Sequence, residues 1–533
     1  MISIMPVWGP SHQTGPPRRR DWRWGPRVLL PIVIFGVASG GWDRLSSAKI
    51  AVGIGWVVLI ALAALPAGVQ RRLLAPIRGG RGAGSRRRPP ADPLTAVRQS
   101  AWADGGGVYL GVGREGRVRH ARAERAVLLL GPPRAGKTSG VIVPAVVAHT
   151  GPVVSTSTKG DVARATRPAR SGSGRTWVFD PTGAAGAGEG NEELRWSPVT
   201  SSVRWDGAVL MARAMTTNIG AGTTDRSHWA SRAQALLGPM LHAAAVHGRD
   251  MEAVVDWVMR HELDQPGILL EDERCSNLAF GSLLGLLNTE ERERSSIFSA
   301  AADALQAYTS EHALAAARNP NFDPNGFVRS ADTVYIHAPA EEQAAVAPIV
   351  CGLLSEIRRA TYRAHANGEL FGRMLFALDE VANIAPLEEL PQIASEGGGQ
   401  GLVLLAALQD LSQARQRWGA QADGFLTLFG TKLILPGVAD ARTLESISQT
   451  LGEYDREVVA HTRPQVGLFS PGGDNIPHRT RTVSTQRTRV LSPGEIANIP
   501  AGRALHIDGV KWELLTLTPA YSTEPWRTLT TNA

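Results

Sequence analysis

Uncharged apolar runs mark the N-terminal part of the chain. The run Ile50–Val69 has twenty residues, enough at about 1.5 Å of helical rise per residue to cross a hydrocarbon core of roughly 30 Å. The run Val28–Trp42 has fifteen residues and needs its flanks, with snorkelling by Arg27 and Arg44, to reach across. Together they predict a two-helix transmembrane hairpin over residues 28–70.

A cleaved signal peptide is the alternative for the first run. The second, stronger run and the early position of the small residues 38–40 argue against cleavage. Arginines cluster outside both runs, so the positive-inside rule predicts a multi-pass protein of the inner (plasma) membrane with both termini cytoplasmic. Residues 1–27 are then a cytoplasmic tail and residues 71–100 a basic linker. The flanking arginines are Arg18, Arg19, Arg20, Arg23 and Arg27 before the hairpin and Arg71, Arg72, Arg78, Arg81, Arg86, Arg87 and Arg88 after it.

Beyond residue 100, short apolar and β-branched runs alternate with helical patterns. This alternation predicts an α/β fold with a largely parallel sheet wrapped by helices. The predicted strands are Gly151–Ser155, Thr176–Asp180, Thr333–Ala338, Met374–Asp379, Leu402–Leu408, Thr431–Pro436 and Ala504–Asp508.

Between Trp205 and Leu314 the pattern changes to one helix after another, with little strand signal. Examples are Trp229–Val246, Met251–Arg260 and Glu291–Thr309. We therefore predict an inserted all-α domain over residues 205–320. The insertion divides the sheet domain into two parts, 101–204 and 321–521, and residues 522–533 form a C-terminal tail.

The stretch "VLLLGPPRAGKTSG" contains a phosphate-binding motif. A buried strand, Val127–Leu130, precedes the loop and a helix, Thr138–Ala148, follows it. The loop matches G-x-x-x-x-G-K-[ST], the P-loop, at Gly131, Gly136, Lys137 and Thr138. Glycines let backbone N–H groups surround an anion, and the helix N-terminus adds its positive dipole end.

These features predict ATP and Mg²⁺ as cofactors. Lys137 reaches the β- and γ-phosphates, and the Thr138 hydroxyl suits a magnesium ligand. The alternative, a glycine-rich turn that matches by chance, does not account for the strand and the helix on either side. The predicted nucleotide-binding residues are Gly131, Pro132, Pro133, Arg134, Ala135, Gly136, Lys137, Thr138 and Ser139.

The second part of the predicted site is an acidic motif in "RMLFALDEVANIAPL". Asp379 comes at the end of a buried strand, where it can join the magnesium shell, and Glu380 is placed to act as the general base. The alternative is that both carboxylates only cap the next helix. The helical insertion accounts for the long spacing between this site and the P-loop.

Gln409, at the end of the strand Leu402–Leu408, is predicted to contact the γ-phosphate or orient water. The alternative is that Gln409 is an ordinary polar residue at a strand end.

Composition narrows the class of protein. Hydrophobic residues make up 43% of the chain and charged residues 20%, as in globular proteins. The net charge of +7 suits a polyanion or an acidic membrane surface as partner. Cys275 and Cys351 are the only cysteines, so neither a disulfide framework nor a cysteine-based zinc site is implied. Without H-E-x-x-H or G-x-S-x-G, metalloprotease and hydrolase-elbow chemistry have no support.

The motifs, taken in order, resemble those of the coupling proteins of conjugative type IV secretion, the TraG/TraD-type ATPases. The resemblance runs from about Arg27 to Pro519. It is carried by the hairpin anchor and by the sequences GPPRAGKTSG, STKGD (157–161), VFDPTG (178–183), LDEVANI and LQDLSQ. The all-α insertion lies between the phosphate-binding motif and the acidic motif.

The resemblance implies an integral inner-membrane protein whose cytoplasmic P-loop (RecA-like) domain forms hexameric rings. Such rings use ATP to recruit a relaxase-bound DNA strand and pass it to the secretion channel. By motif, Lys137 and Thr138 take the phosphate and magnesium roles, Asp379 and Glu380 the second acidic site, and Gln409 the sensor role.

One position departs from the family. Many members carry an arginine just before the strand that ends in glutamine, where this chain has Gly397, Gly398, Gly399 and Gln400. Arg415 and Arg417 are the nearest substitutes for an arginine that reaches a neighbour's ATP. Each is alternatively a solvated helix charge.

The segment "HRTRTVSTQRTRV" (478–490) leaves two interpretations open. Strand alternation would place its paired arginines on one face, suited to phosphate contacts. The segment is alternatively a solvated edge hairpin, since edge strands often carry charges. The arginines are Arg479, Arg481, Arg487 and Arg489.

Three other functions share parts of this pattern. A DNA-segregation translocase of the FtsK type has a membrane anchor and a ring ATPase, but the all-α insertion argues against it. A coupling ATPase for protein effectors without DNA would share every motif. A membrane scaffold that binds nucleotide without hydrolysing it is disfavoured by the intact Lys137, Asp379 and Glu380.

Overall fold

The computed structural model describes residues 92–103, 107–184, 186, 188, 190–216, 226–462 and 480–530. The predicted membrane hairpin, residues 28–70, the N-terminal tail and most of the predicted linker lie outside these residues. None of the helices in the described ranges has the length and apolar character that a membrane span requires.

A twelve-stranded sheet forms the centre of the described chain, in the order β2-β1-β14-β13-β10-β3-β9-β8-β4-β7-β5-β6. From β10 to β6 neighbouring strands pair in parallel, and from β10 to β2 they pair antiparallel. The strands are β1 (Tyr109–Val112), β2 (Val118–His120), β3 (Val127–Leu130), β4 (Val153–Ser157), β5 (Thr176–Phe179), β6 (Glu192–Glu193), β7 (Thr333–His337), β8 (Met374–Leu378), β9 (Leu402–Leu408), β10 (Thr431–Ile434), β13 (Arg503–Asp508) and β14 (Lys511–Thr516).

The remaining two strands form a separate antiparallel hairpin. β11 (Glu453–Thr462) pairs with β12 (Thr480–Arg489) along its full length. The described residues of this hairpin are largely exposed from Glu453 to Glu457 and from Val483 to Arg487.

Helices cover both faces of the large sheet. They are α1 (Pro93–Ala103), α2 (Val143–Ala148), α3 (Asp161–Ser171), α4 (Trp205–Met215), α5 (Arg226–Val246), α6 (Met251–Met259), α7 (Asp264–Leu270), α8 (Asn277–Leu287), α9 (Glu291–Ala304), α10 (Glu311–Ala317), α11 (Pro324–Phe327), α12 (Gln343–Ala366), α13 (Val381–Ile384), α14 (Leu390–Glu396), α15 (Leu411–Trp418), α16 (Phe425–Leu428), α17 (Ala441–Leu451), α18 (Pro493–Ala497) and α19 (Trp526–Thr530).

The two faces of the sheet belong to two different hydrophobic cores. Along β3, Leu128 and Leu130 join one core while Val127 and Leu129 join the other, because successive side chains of a strand point to opposite faces. Strands buried on both faces have continuous apolar sequences, which explains why these strands were predictable.

The helical region between β6 and β7 packs onto one face of the sheet. Its buried residues, such as Met240 in α5 and Phe298 in α9, belong to the same hydrophobic core as Phe376 of β8. The helices predicted between Trp205 and Leu314 are present, with Glu291–Thr309 divided into α9 and a 3₁₀ turn, Gln306–Thr309. The helical insertion therefore shares its core with the sheet rather than enclosing one of its own.

Two segments differ from their predicted irregular structure. Helix α1 begins at Pro93, inside the predicted linker. Residues 522–530, predicted as part of a tail, include α19, whose Trp526 is buried against the ring of Tyr109 in an edge-on contact of 4.9 Å between centroids. Aromatic contacts of this kind join residues distant in sequence, so hydrophobic periodicity does not indicate them.

Candidate active site

The predicted phosphate and acidic motifs meet at the carboxyl ends of neighbouring parallel strands. The P-loop follows β3, Asp379 follows β8, and β9 lies between these two strands. Gly131 N–H donates to the carbonyl of Leu408 at 3.1 Å, which connects the start of the loop to the end of β9. In open α/β sheets, ligands bind at this edge.

Two residues of the loop have a left-handed backbone, one of them a glycine that adopts it without strain. Gly136 has a φ of 94° and Arg134 a φ of 65°, both in the left-handed region. Gly131 has no space for a side chain, since a Cβ there would lie 2.9 Å from the Leu435 Cβ. A π-helical turn, Thr138–Ile142, leads from the loop into α2.

Lys137 is buried inside its own loop. Its Nζ donates to the carbonyl of Gly131 at 2.5 Å and to that of Pro132 at 3.2 Å. Burial lowers the pKa of Lys137, and the nearby carboxylates Glu380 and Asp379 act in the opposite direction. The ammonium group therefore lies at the centre of the loop, where the motif predicts phosphate contacts.

The Thr138 hydroxyl contacts the acidic strand directly. Its Oγ1 donates to Asp379 Oδ2 at 2.6 Å, although 241 positions separate the two residues. The Thr156 Oγ1, at the end of β4, donates to the Asp379 carbonyl at 2.8 Å. Burial raises the pKa of Asp379, while the Thr138 hydrogen bond and the Lys137 charge lower it. The two residues predicted to hold Mg²⁺ thus meet across the site.

The surroundings of Glu380 differ from those of Asp379. Its backbone has a φ of 49°, a left-handed conformation that is unfavourable for a residue with a side chain. Its Oε2 is buried and has no hydrogen-bond partner among the described residues. Strained backbone and unpartnered buried polar atoms cluster at functional sites.

A cavity of about 840 Å³ brings most of the predicted residues together. Of the nine predicted nucleotide-binding residues, Gly131 and Ala135 are absent from its lining, and the other seven line it with Asp379 and Glu380. Gln409 is not among the described residues that line the cavity. It lies at the end of β9, half-buried, and its N–H donates to Gln413 Oε1 at 2.8 Å.

Two further segments line the same cavity. Ser157, Lys159 and Asp161 come from the STKGD sequence, in which Ser157 Oγ donates to Asp161 Oδ1 at 2.7 Å. This sequence contributes to the resemblance, but its residues alone do not indicate a role. The second segment is C-terminal and contributes Ala520, Tyr521 and Thr530. No sequence motif marks it.

The predicted magnesium ligands fit that ion. Mg²⁺ is usually held by one or two protein ligands together with phosphate oxygens and water. The Thr138 hydroxyl and the Asp379 carboxylate supply such a pair of oxygens. In the described part of the chain, no group of three or more His, Cys, Asp or Glu residues is arranged to hold a metal by itself, and both cysteines are buried and free.

Arg415 is held within its own chain. Its guanidinium donates to Asp440 Oδ2 at 2.6 Å, and the arginine side chain is only 19% exposed. Asp440 also caps α17 by accepting the Thr443 N–H at 2.9 Å. Arg415 is therefore paired within its own chain rather than a freely solvated helix charge. Arg417 is half-buried as well.

The arginine-rich segment forms strand β12 of the exposed hairpin. The Arg487 Nε lies 3.5 Å from Glu453 Oε2 on the paired strand. Arg489 donates two hydrogen bonds to the carboxylate of Glu445 in α17, at 2.7 and 2.8 Å. Arg479 and the side chain of Arg481 lie outside the described residues. Both described arginines therefore have acidic partners within the chain.

A P-loop lysine and threonine that face two acidic residues at the end of a second parallel strand define the class of P-loop NTPases. The sequence model of one protein family, described as "Type IV secretory system Conjugative DNA transfer", matches residues 85–510. The chain belongs to this family. Among curated proteins, none matches the sequence.

Solved structures of one coupling protein share the fold. The bacterial conjugative coupling protein TrwBdeltaN70, unbound, is 18% identical, with a TM-score of 0.57 over 80% of this chain and 91% of that chain. TrwB in complex with ADPNP is 18% identical, with a TM-score of 0.58 over 80% and 92%. TrwB with ADP and Mg²⁺ is 19% identical, with a TM-score of 0.58 over 77% and 88%.

Proposed function

We propose that this protein is a membrane-anchored ATPase that couples a DNA substrate, carried as a relaxase-bound single strand, or a protein substrate to a type IV secretion channel. Membership of the conjugative DNA-transfer family supports the transport role. The solved TrwB complexes with ADPNP and with ADP and Mg²⁺ support ATP and Mg²⁺ as cofactors.

Each residue of the site has a role in this proposal. The loop N–H groups and Lys137 bind the phosphates, while Thr138 and Asp379 hold Mg²⁺, which neutralises phosphate charge when bound. Glu380 accepts the proton of the attacking water, and Gln409 orients that water or contacts the γ-phosphate. The observation that carries the proposal is the buried, unpartnered Oε2 of Glu380 beside an Asp379 that is already hydrogen-bonded to Thr138.

The proposed assembly is a homohexamer that works with a relaxase and with the channel proteins. The resemblance to coupling proteins is its basis. The net charge of +7 is consistent with a DNA or membrane partner.

The proposed topology has two membrane spans, 28–42 and 50–69, with both termini in the cytoplasm. Its support is the arginine distribution around the two uncharged runs. We expect a reporter that is active only outside the cytoplasm to be silent at either terminus and active when inserted near Ser46. Activity of the same reporter at the C-terminus would contradict two spans and favour one span or a cleaved signal.

Two substitutions in the full-length chain test the chemistry. Lys137→Ala removes a charge-assisted phosphate contact worth about 1.5–3 kcal/mol, so we expect ATP affinity to fall roughly 10- to 150-fold. Glu380→Gln removes the general base, so ATP should still bind while turnover falls about 10²- to 10⁴-fold. Calorimetry measures binding, and phosphate release with and without single-stranded DNA measures turnover.

The matched control is Glu457→Gln, which makes the same chemical change at an exposed carboxylate of the hairpin. This variant should hydrolyse ATP at the rate of the parent. Parental turnover by Glu380→Gln would remove Glu380 as the base. A parent that binds ATP without hydrolysing it would instead support the scaffold alternative.

A further inference from the structure

The C-terminal segment returns to the P-loop after β14, the last strand of the sheet. Residues Ala520–Ser522 form a 3₁₀ turn, and α19 follows. Ala520, Tyr521 and Thr530 line the cavity that Lys137 and Thr138 also line. The proposed nucleotide site therefore combines the P-loop with a segment near the C-terminus.

Three buried residues hold this segment against the core, while its other side chains from Tyr521 to Leu529 are half-buried or exposed. Ala520, Trp526 and Thr530 are buried, and the Thr530 hydroxyl donates to the Trp526 carbonyl at 2.8 Å. Tyr521 is 68% exposed although its neighbour Ala520 is 3% exposed. A fixed backbone thus presents one aromatic ring at the opening of the cavity.

The position of this ring suits the base end of a nucleotide. In a P-loop site the phosphates occupy the loop, and the terminal phosphate points toward the general base. Glu380 marks that end here, so the ribose and base extend away from it, past Ser139 and Val143 of the following helical turn. Tyr521 is the one aromatic residue among the described residues that line the cavity.

We propose that Tyr521 is the platform on which the nucleotide base stacks. The inference rests on the proposed nucleotide site and adds a binding role for the C-terminal segment. Base–aromatic stacking contributes roughly 1–3 kcal/mol, which corresponds to about 5- to 150-fold in affinity. A π-face is common to all bases, so the platform contributes to affinity without distinguishing adenine from guanine.

The test separates the base from the phosphates. The binding of ADP, GDP and inorganic pyrophosphate, each with Mg²⁺, is measured by calorimetry on the full-length chain. For Tyr521→Ala we expect ADP and GDP to bind about 5- to 150-fold more weakly and pyrophosphate to bind as in the parent. Tyr521→Phe, which keeps the ring, should bind all three like the parent.

The matched control is Tyr454→Ala, which removes another exposed tyrosine, on the hairpin. It should leave all three affinities unchanged. Unchanged ADP affinity in Tyr521→Ala would overturn the platform, and an equal loss of ADP and pyrophosphate would show that Tyr521 supports the loop instead. A parent that binds neither ligand would overturn the proposed nucleotide site itself, and the platform with it.

Discussion

Two adjacent carboxylates of this protein occupy different environments. Asp379 is hydrogen-bonded by Thr138 and by the N–H of Glu380, at 2.6 and 3.1 Å, whereas a buried oxygen of Glu380 has no partner among the described residues. A carboxylate already engaged by a hydroxyl is suited to holding a cation. One with a free lone pair is suited to accepting a proton. The structure thus gives a physical basis for assigning different roles to the two residues.

The raised pKa of Asp379 predicts how stability depends on pH. In the unfolded chain the group titrates near its ordinary value of 3.8, and burial raises the value in the folded protein. Between the two values the folded state binds more protons, so this group's contribution to the free energy of unfolding falls as pH rises through the window. Asp379→Asn removes the titration. We therefore expect the variant to gain stability relative to the parent as pH rises from below 3.8 to 7, without nucleotide or Mg²⁺.

Urea unfolding of the full-length chain at several pH values measures this difference. Asp206→Asn is the matched control, because Asp206 is 83% exposed. This substitution should change the free energy of unfolding only slightly, and without the pH dependence expected for Asp379→Asn. The quantity compared is the free energy of unfolding of Asp379→Asn minus that of the parent. If this difference stays constant or falls as pH rises, the raised pKa of Asp379 is wrong.

At the level of elements, the buried strands were predictable from sequence. All eight predicted strands, with Val127–Leu130 before the P-loop included, are present, and each end lies within two residues of its prediction. Parallel strands covered on both faces need apolar side chains at nearly every position, so they appear as short unbroken apolar runs. The run Leu402–Leu408 has the same bounds in the sequence prediction and in the structure.

Three strands at or next to the edges of the sheet were not predicted, for a related physical reason. β1, β2 and β6 are two to four residues long, and β2 and β6 have no fully buried residue. A short, partly exposed strand needs few apolar residues and lacks a periodic signal. The pairing of β1 with β14 depends on contacts between residues about 400 positions apart, such as Val112 with Thr516.

The candidate site was predictable where it depends on local motifs. The strand–loop–helix around Lys137 and the strand before Asp379 are local patterns, and the structure brings them together. The Arg415–Asp440 pair and the position of Tyr521 depend on tertiary packing between distant segments. No motif encodes such contacts, so the sequence alone does not indicate that Arg415 pairs with Asp440.

At the scale of the whole molecule, the described chain is built on one large sheet, with the candidate active site at the carboxyl ends of its parallel strands. The helical region and α12 cover one face, and α2, α3 and α19 pack in the core of the other. The cavity opens at the carboxyl ends of the strands, with the exposed ring of Tyr521 among its lining residues. In the proposed ring, a neighbouring subunit would approach bound nucleotide directly at this edge.

Mixing subunits tests whether the sites of the proposed hexamer act together. Full-length parent is combined with increasing fractions of Glu380→Gln, and ATPase activity is measured with single-stranded DNA. A subunit that binds ATP without hydrolysing it stays on the strand and obstructs its neighbours, so we expect activity to fall more steeply than the fraction of parent subunits. Glu457→Gln subunits, which keep an intact site, should leave activity unchanged at every ratio. A decline strictly proportional to the parent fraction would mean that each subunit hydrolyses ATP independently, and would contradict a ring whose subunits act in sequence on one substrate.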